Sequence, residues 1–159
     1  MIARPLRPDD FDSLYGAAAD PLLWAQHPEP SRWREDVFRA YFEGHLASGG
    51  ALTVLDRADG AVIGASRYAN LDEERSEIEI GWTFLARPYW GGRHNADLKQ
   101  AMLTHAFRTL RTIVFVVGEQ NLRSRRAVEK LGARQAGTRR GQILYELTEA
   151  EYAQAATGR

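Results

Sequence analysis

The 159-residue chain contains no cysteine. That removes disulfides, thiolate metal sites and a cysteinyl acyl-enzyme, and it is compatible with a reducing cytoplasm. No long apolar run is present either, and the first six residues already carry Arg4. The expectation is a cytoplasmic protein with neither a signal peptide nor a membrane span. Four histidines, His27, His45, His94 and His105, show no HxxxH or HExxH spacing, so no metal site is expected. GxxxxGK(S/T) and GxGxxG patterns are missing, which disfavours a nucleoside triphosphate or dinucleotide site. Ser66, in Gly64-Ala65-Ser66-Arg67, lacks the second glycine of a nucleophile elbow, and covalent serine catalysis has no support.

Charge is scarce only in its sum. Lys and Arg number 21 and Asp and Glu 21, which argues against bulk attraction to nucleic acid. Along the chain the balance is uneven. Residues 1–86 hold 8 Arg against 15 acids, a net −7, while residues 87–140 hold 12 Lys or Arg against 3 acids, a net +9. Solvated helix faces would account for this. The sharper reading is an anionic ligand on the basic half and a cationic one near the acidic half.

The length suits one domain spanning 1–159, able to bury roughly two-thirds of its unfolded surface. Residues 2–7 read as a strand. Pro8-Asp9-Asp10 opens a helix ending near Asp20-Pro21, and Ser31 caps a second that runs to Gly49-Gly50. Its apolar stripe includes Trp33, Phe38, Phe42 and Leu46, so Trp33 is expected in the core.

Residues 51–55 and 61–68 flank a turn ending in Asp59-Gly60 and predict a hairpin. Residues 76–85 alternate, with Ile78, Ile80, Trp82 and Phe84 on one face and Glu77, Glu79, Gly81 and Thr83 on the other. A glycine-containing loop follows, then a helix capped by Asn95 and running to about Leu110, then a short buried strand, 113–117. Strand, helix and strand without a hairpin make a right-handed βαβ crossover with parallel strands. Asn121 caps another helix that Gly132 ends, a hairpin turns at Arg140-Gly141, and Thr148 with Glu151 forms a capping box. The expected fold is α/β, in the α+β sense: a mixed, mostly antiparallel sheet of about seven strands around one parallel pair, with helices on both faces.

Leading a strand through glycines into a helix N-terminus places free backbone N–H groups and the positive end of the helix dipole at one point, a geometry that binds phosphate. An ordinary strand-to-helix turn has the same composition. The segment from Glu79 to Gly132 carries more. Glu79-Ile80-Gly81-Trp82, Tyr89-Trp90-Gly91, the run Glu119-Gln120-Asn121-Leu122-Arg123-Ser124-Arg125-Arg126 and Glu129-Lys130-Leu131-Gly132 together resemble the GNAT acetyltransferase superfamily, closest to its Rim-type ribosomal-protein branch.

That resemblance implies acetyl-CoA as acyl donor, lying in a splay between the two parallel strands. It implies that backbone at Phe84 and Leu85 holds the pantetheine arm. The pyrophosphate would lie on the loop and helix start formed by Trp90, Gly91, Gly92, Arg93, His94, Asn95 and Ala96. The family loop, Gln/Arg-x-x-Gly-x-Gly/Ala, meets Trp90, Arg93 and Asn95 here, and none of the three fits. The resemblance also implies CoA contacts from Asn121 and Ser124. The basic residues of 87–140 then gain a reason in the phosphates of CoA.

Amide formation needs a neutral amine, and an alkylamine of pKa near ~10.4 must lose a proton first. Glu79 and Glu77 are the candidate bases, against a plainer reading as solvated strand carboxylates. Val128 stands where the family often has a general-acid tyrosine, which leaves Ser124 as the weak alternative acid. Trp24 and His27 are the candidate acceptor contacts. The expected activity is direct acetyl transfer to a primary amine, a protein N-terminus or a small molecule, with a cationic acceptor favoured by the acidic half. A non-catalytic acyl-CoA-binding or sensing module is the alternative, and the oligomeric state, a homodimer included, is left open.

Overall fold

A computed structural model describes residues 1–157. Seven strands form one mixed sheet in the order β1-β2-β3-β4-β5-β7-β6. They are β1 (Ile2–Pro5), β2 (Ala51–Leu55), β3 (Val62–Asp72), β4 (Glu77–Leu85), β5 (Thr112–Val117), β6 (Arg134–Arg139) and β7 (Gln142–Thr148). β4 and β5 pair in parallel, from Glu77↔Thr112 to Glu79↔Val114. Five α-helices accompany them: α1 (Phe11–Ala18), α2 (Glu35–Ser48), α3 (His94–Ala106), α4 (Leu122–Glu129) and α5 (Glu149–Thr157).

The chain clusters into two compact units. The first comprises Met1–Ala25, Glu29–Tyr68 and Trp82–Met102. Its core gathers Leu14 and Ala18 of α1, Phe38 and Phe42 of α2, and Leu23, Trp24, Ala65 and Phe84. Asp10 is nearly buried and takes both Arg4 guanidinium nitrogens, at 2.6 and 2.8 Å, and the Thr53 hydroxyl at 2.7 Å. Burial disfavours its charge, but these donors and the Arg7 N–H outweigh burial and bring its pKa down to about 2.

The second unit comprises Gln26–Pro28, Ala69–Gly81 and the chain from Leu103 onward. β5 pairs antiparallel with β7 and β7 with β6, a ladder broken by a bulge between Gln135 and Gly137. Residues of β6 are exposed, Arg139 excepted. Ile113, Val114, Phe115, Leu144 and Leu147 are buried here. The Thr148–Glu151 capping box forms: Glu151 accepts from the Thr148 N–H and hydroxyl, both at 2.7 Å, and Thr148 Oγ1 accepts from the Glu151 N–H at 3.3 Å.

Several boundaries differ from the sequence reading. α2 starts at Glu35 rather than near Ser31, because Ser31 spends its N–H and hydroxyl on the Glu29 carboxylate. Trp33 therefore falls outside the helix and is 40% exposed, not core. α1 ends at Ala18, and Asp20 caps a separate 3-10 turn through the Leu22 N–H at 3.0 Å. α3 ends at Ala106 rather than Leu110. Among the described residues no helix is long and apolar enough to cross a membrane.

Candidate active site

Period-two alternation in β4 stops at Trp82, whose φ of 51° is left-handed. For a large aromatic residue this is a strained backbone and needs support from its surroundings. Tyr41 on α2 donates its hydroxyl to the Trp82 carbonyl at 2.8 Å, and the Arg67 guanidinium lies 3.6 Å over the Trp82 ring. Beyond the irregularity Phe84 and Leu85 are both buried, so the strand is covered on both faces there. The Phe84 ring packs at 5.3 Å from Trp24.

Backbone direction follows from two contacts on β3. Ala86 N–H donates to the Ile63 carbonyl at 2.8 Å. A Cβ on Gly64 would sit 2.1 Å from the Phe84 carbonyl oxygen, so β3 approaches β4 closely there. Ala86 and Phe84 thus turn their backbone groups toward β3, and the intervening Leu85, like Thr83, turns its groups to the other edge of β4. The Leu85 carbonyl already accepts the Trp90 indole N–H at 2.8 Å.

After a 3-10 turn, Arg87–Tyr89, the chain passes through Gly91 at φ 72°, and Gly91, Gly92 and Arg93 are exposed. α3 begins at His94, so Asn95 lies inside the helix and does not cap it. The first-turn N–H groups, which have no carbonyl four residues back within the helix, open onto this exposed loop. His94 meets the Tyr89 ring edge-on at 5.1 Å. Arg93 loosely faces Asp97 at 3.9 Å.

The two strand carboxylates are buried rather than solvated. Glu79 is 2% exposed; its Oε1 accepts from Arg140 Nη2 at 2.6 Å and its Oε2 from Asn70 Nδ2 at 2.7 Å. Glu77 accepts from Arg139 Nη1 at 2.9 Å. Charge-assisted bonds of this kind compensate the desolvation of a buried carboxylate.

Comparison with known proteins decides what this arrangement belongs to. The family model described as acetyltransferase (GNAT) domain matches residues 1–134. This chain is a GNAT acetyltransferase. A GCN5-related N-acetyltransferase from Brucella melitensis shares the fold at TM-score 0.82, with 18% identity over 98% of this chain and 78% of that one. RimJ of Mycobacterium smegmatis, solved with CoA-disulfide, gives 0.69 with 21% identity, covering 99% and 88%. Spermidine N-acetyltransferase from Vibrio cholerae, solved with CoA and spermine, gives 0.71 with 17% identity, covering 96% and 97%. Among curated proteins no sequence match is found.

Within this GNAT chain Asn121 is buried and caps α4 as expected, its Oδ1 accepting from the half-buried Ser124's N–H at 3.3 Å. Val128 is buried. A phenol does reach α4, but from β7: the Tyr145 hydroxyl donates to Glu129 at 2.7 Å and accepts from Arg125 Nε at 3.1 Å. Trp24 is core, 3% exposed, with its indole N–H on the Ala18 carbonyl at 2.8 Å. It cannot form an open acceptor wall. His27 is half-buried.

Sequence reasoning missed a buried polar chain. Lys99 Nζ donates to Thr83 Oγ1 at 2.6 Å, and Thr83 Oγ1 lies 2.7 Å from Ser66 Oγ. Burial pulls the Lys99 pKa down to about 7. Its signal was there: Lys99, Leu103 and Ala106 recur at i, i+4 and i+7, which puts Lys99 on the apolar stripe of α3. His45, also read as unremarkable, is 1% exposed, and burial, then Arg67 and Arg32, drive its pKa down to about 3.

Proposed function

We propose that the chain, acting as one domain, transfers an acetyl group from acetyl-CoA directly to a primary amine on a small molecule or a protein N-terminus. The observation that carries this reading is β4 itself. A backbone reset at Trp82, with Thr83 and Leu85 turned away from β3, leads into the exposed 91–93 loop and the start of α3. An extended pantetheine arm takes strand-like hydrogen bonds from such an edge, and Thr83 with Leu85 serves better than Phe84, whose carbonyl faces Gly64. The pyrophosphate takes N–H groups of residues 91–96, helped by the helix dipole and Arg93. Because backbone amides do the binding, the departure from the family loop pattern at Trp90, Arg93 and Asn95 does not remove the site.

In the chemical step the neutral amine attacks the thioester carbonyl, and CoA leaves as its thiolate. An alkyl thiol of pKa around ~8.5 leaves without much help, so a general acid contributes little, and Ser124 is a CoA contact rather than an acid. The amine's proton passes to Glu79, through water, because the carboxylate is itself buried. Glu77, held by Arg139, supports the local charge. The test is a thermal shift with CoA, since a ligand at a hundredfold its Kd adds about 2.7 kcal/mol. No shift at millimolar CoA removes the proposal.

A further inference from the structure

A lysine on the apolar stripe of a helix costs free energy that a methionine would not, because burial penalises its charged form. Lys99 is 6% exposed, and its neighbours on the buried side of α3, Leu98, Met102 and Leu103, are apolar. Packing alone therefore does not call for an amine here. What the amine supplies is a hydrogen bond, from Nζ to Thr83 Oγ1 at 2.6 Å.

Thr83 is a place where β4 needs an anchor. It directly follows Trp82, whose φ of 51° interrupts the extended strand, and its own N–H and C=O turn away from β3, so no ladder bond to β3 holds them. Side chains stand perpendicular to those backbone groups. The Thr83 hydroxyl can thus be gripped from one face of the sheet while the backbone stays on the open edge. Lys99 grips it from α3, and Ser66 Oγ, on β3 and at 0% exposure, lies 2.7 Å from the same oxygen. Three elements of the first unit, α3, β4 and β3, meet at one hydroxyl.

Lys99 also lies close behind Ala96, on the helix whose first-turn N–H groups open onto the 91–93 loop. One helix therefore serves the loop with its start and the strand edge with its next turn. We propose that Lys99 is a positioning residue for the acyl donor: through the Thr83 hydroxyl it fixes the β4 edge that takes the pantetheine arm, in register with the phosphate-binding start of α3. This rests on the acetyl-transfer reading above. The phosphates of CoA, lying on the loop, draw little from the bridge. The pantetheine amides draw more, because strand-like hydrogen bonds are directional and gain from donors and acceptors already in place.

Isothermal titration calorimetry with two probes tests this: CoA, and 3′-phospho-ADP, which carries the same phosphates without the pantetheine arm. Lys99→Met should weaken CoA binding about tenfold, the scale of one hydrogen bond, while 3′-phospho-ADP binds as it does to the wild type. Thr83→Val should reproduce the selective loss, and Thr83→Ser should recover most of it. Adding Thr83→Val to Lys99→Met should cost no more than either change alone, as for residues acting through one contact. Lys99→Met should also melt no lower than the wild type, which separates lost positioning from lost folding. If Lys99→Met does not fold, Thr83→Val against Thr83→Ser makes the same comparison. Unchanged CoA affinity in these variants overturns the inference, and so does an equal loss for both probes. A wild-type protein that does not bind CoA at all would instead sink the acetyl-transfer reading, so the two failures are distinguishable.

Discussion

Arg140 reaches Glu79 at 2.6 Å from a left-handed backbone, φ 51°, at the turn between β6 and β7. Asn70, which holds the other Glu79 oxygen, is left-handed too, at φ 54°. Two non-glycine residues in a conformation that costs of order 1 kcal/mol each therefore converge on one carboxylate. Glycine would be easier at both places, but it could not deliver the guanidinium or the amide. Orientation of Glu79 is what these turns achieve.

Glu79→Gln should lower kcat more at pH 7 than near pH 10, where the amine sheds its own proton unaided. KM for acetyl-CoA should hold within about twofold, a difference below ~0.5 kcal/mol. Arg140→Gly relieves the backbone and leaves the carboxylate in place, so it should reduce kcat without abolishing the pH trend. Steady-state kinetics across pH decide; a loss equal at every pH would make Glu79 a structural residue only.

Lys99→Met should stabilise the protein, and more so in acid. The folded pKa is about 7, whereas an unfolded lysine titrates near ~10.4. Between these values the unfolded chain binds the extra proton, so wild-type stability rises with pH across this window, and the penalty is complete below pH 7. The gain in melting temperature should be large at pH 6 and small at pH 10, with roughly 2–4 kcal/mol at stake. Equal gains at both pH values would mean that shape, not charge, sets the effect.

Gly64→Ala should hurt both stability and donor binding. Its new methyl would fall 2.1 Å from the Phe84 oxygen and 3.0 Å from Leu85 Cα, both backbone atoms that must shift. Urea denaturation should report a loss of about 1–3 kcal/mol, and the CoA-induced thermal shift should shrink, because the strand displaced is the one proposed to hold pantetheine. A variant that loses stability but keeps the full shift would separate the packing of β4 from its binding edge.

Much of this fold was legible because periodicity and punctuation agree. The 51–68 hairpin, the β4–α3–β5 crossover, the Asn121 cap and the Thr148–Glu151 box all rest on local chemistry. Failures arose where a distant partner overrode a local pattern. Trp82 breaks alternation at a place where Tyr41, forty-one residues away, meets its carbonyl. Glu77 and Glu79 stand out in the sequence as candidate bases, but their burial was not legible, because it depends on the arginines of the last hairpin. Trp33 leaves the core because Glu29 diverts Ser31 from capping, which moves the helix start, and Trp24 enters it because its indole finds the Ala18 carbonyl. Lys99 was hidden by the habit of assigning lysine to solvent, although its spacing was correct for the interior.

The outer strands have a bearing on how this protein behaves at high concentration. A sheet edge offers unpaired N–H and C=O groups that can template a second chain. β1 is four residues long and ends in proline, so it offers little to copy. β6 carries the bulge between Gln135 and Gly137 and begins and ends in arginine. A strand from another molecule would meet a broken ladder. Self-association through strand addition is thus suppressed at both borders, and concentrated stocks should resist fibrillar aggregation.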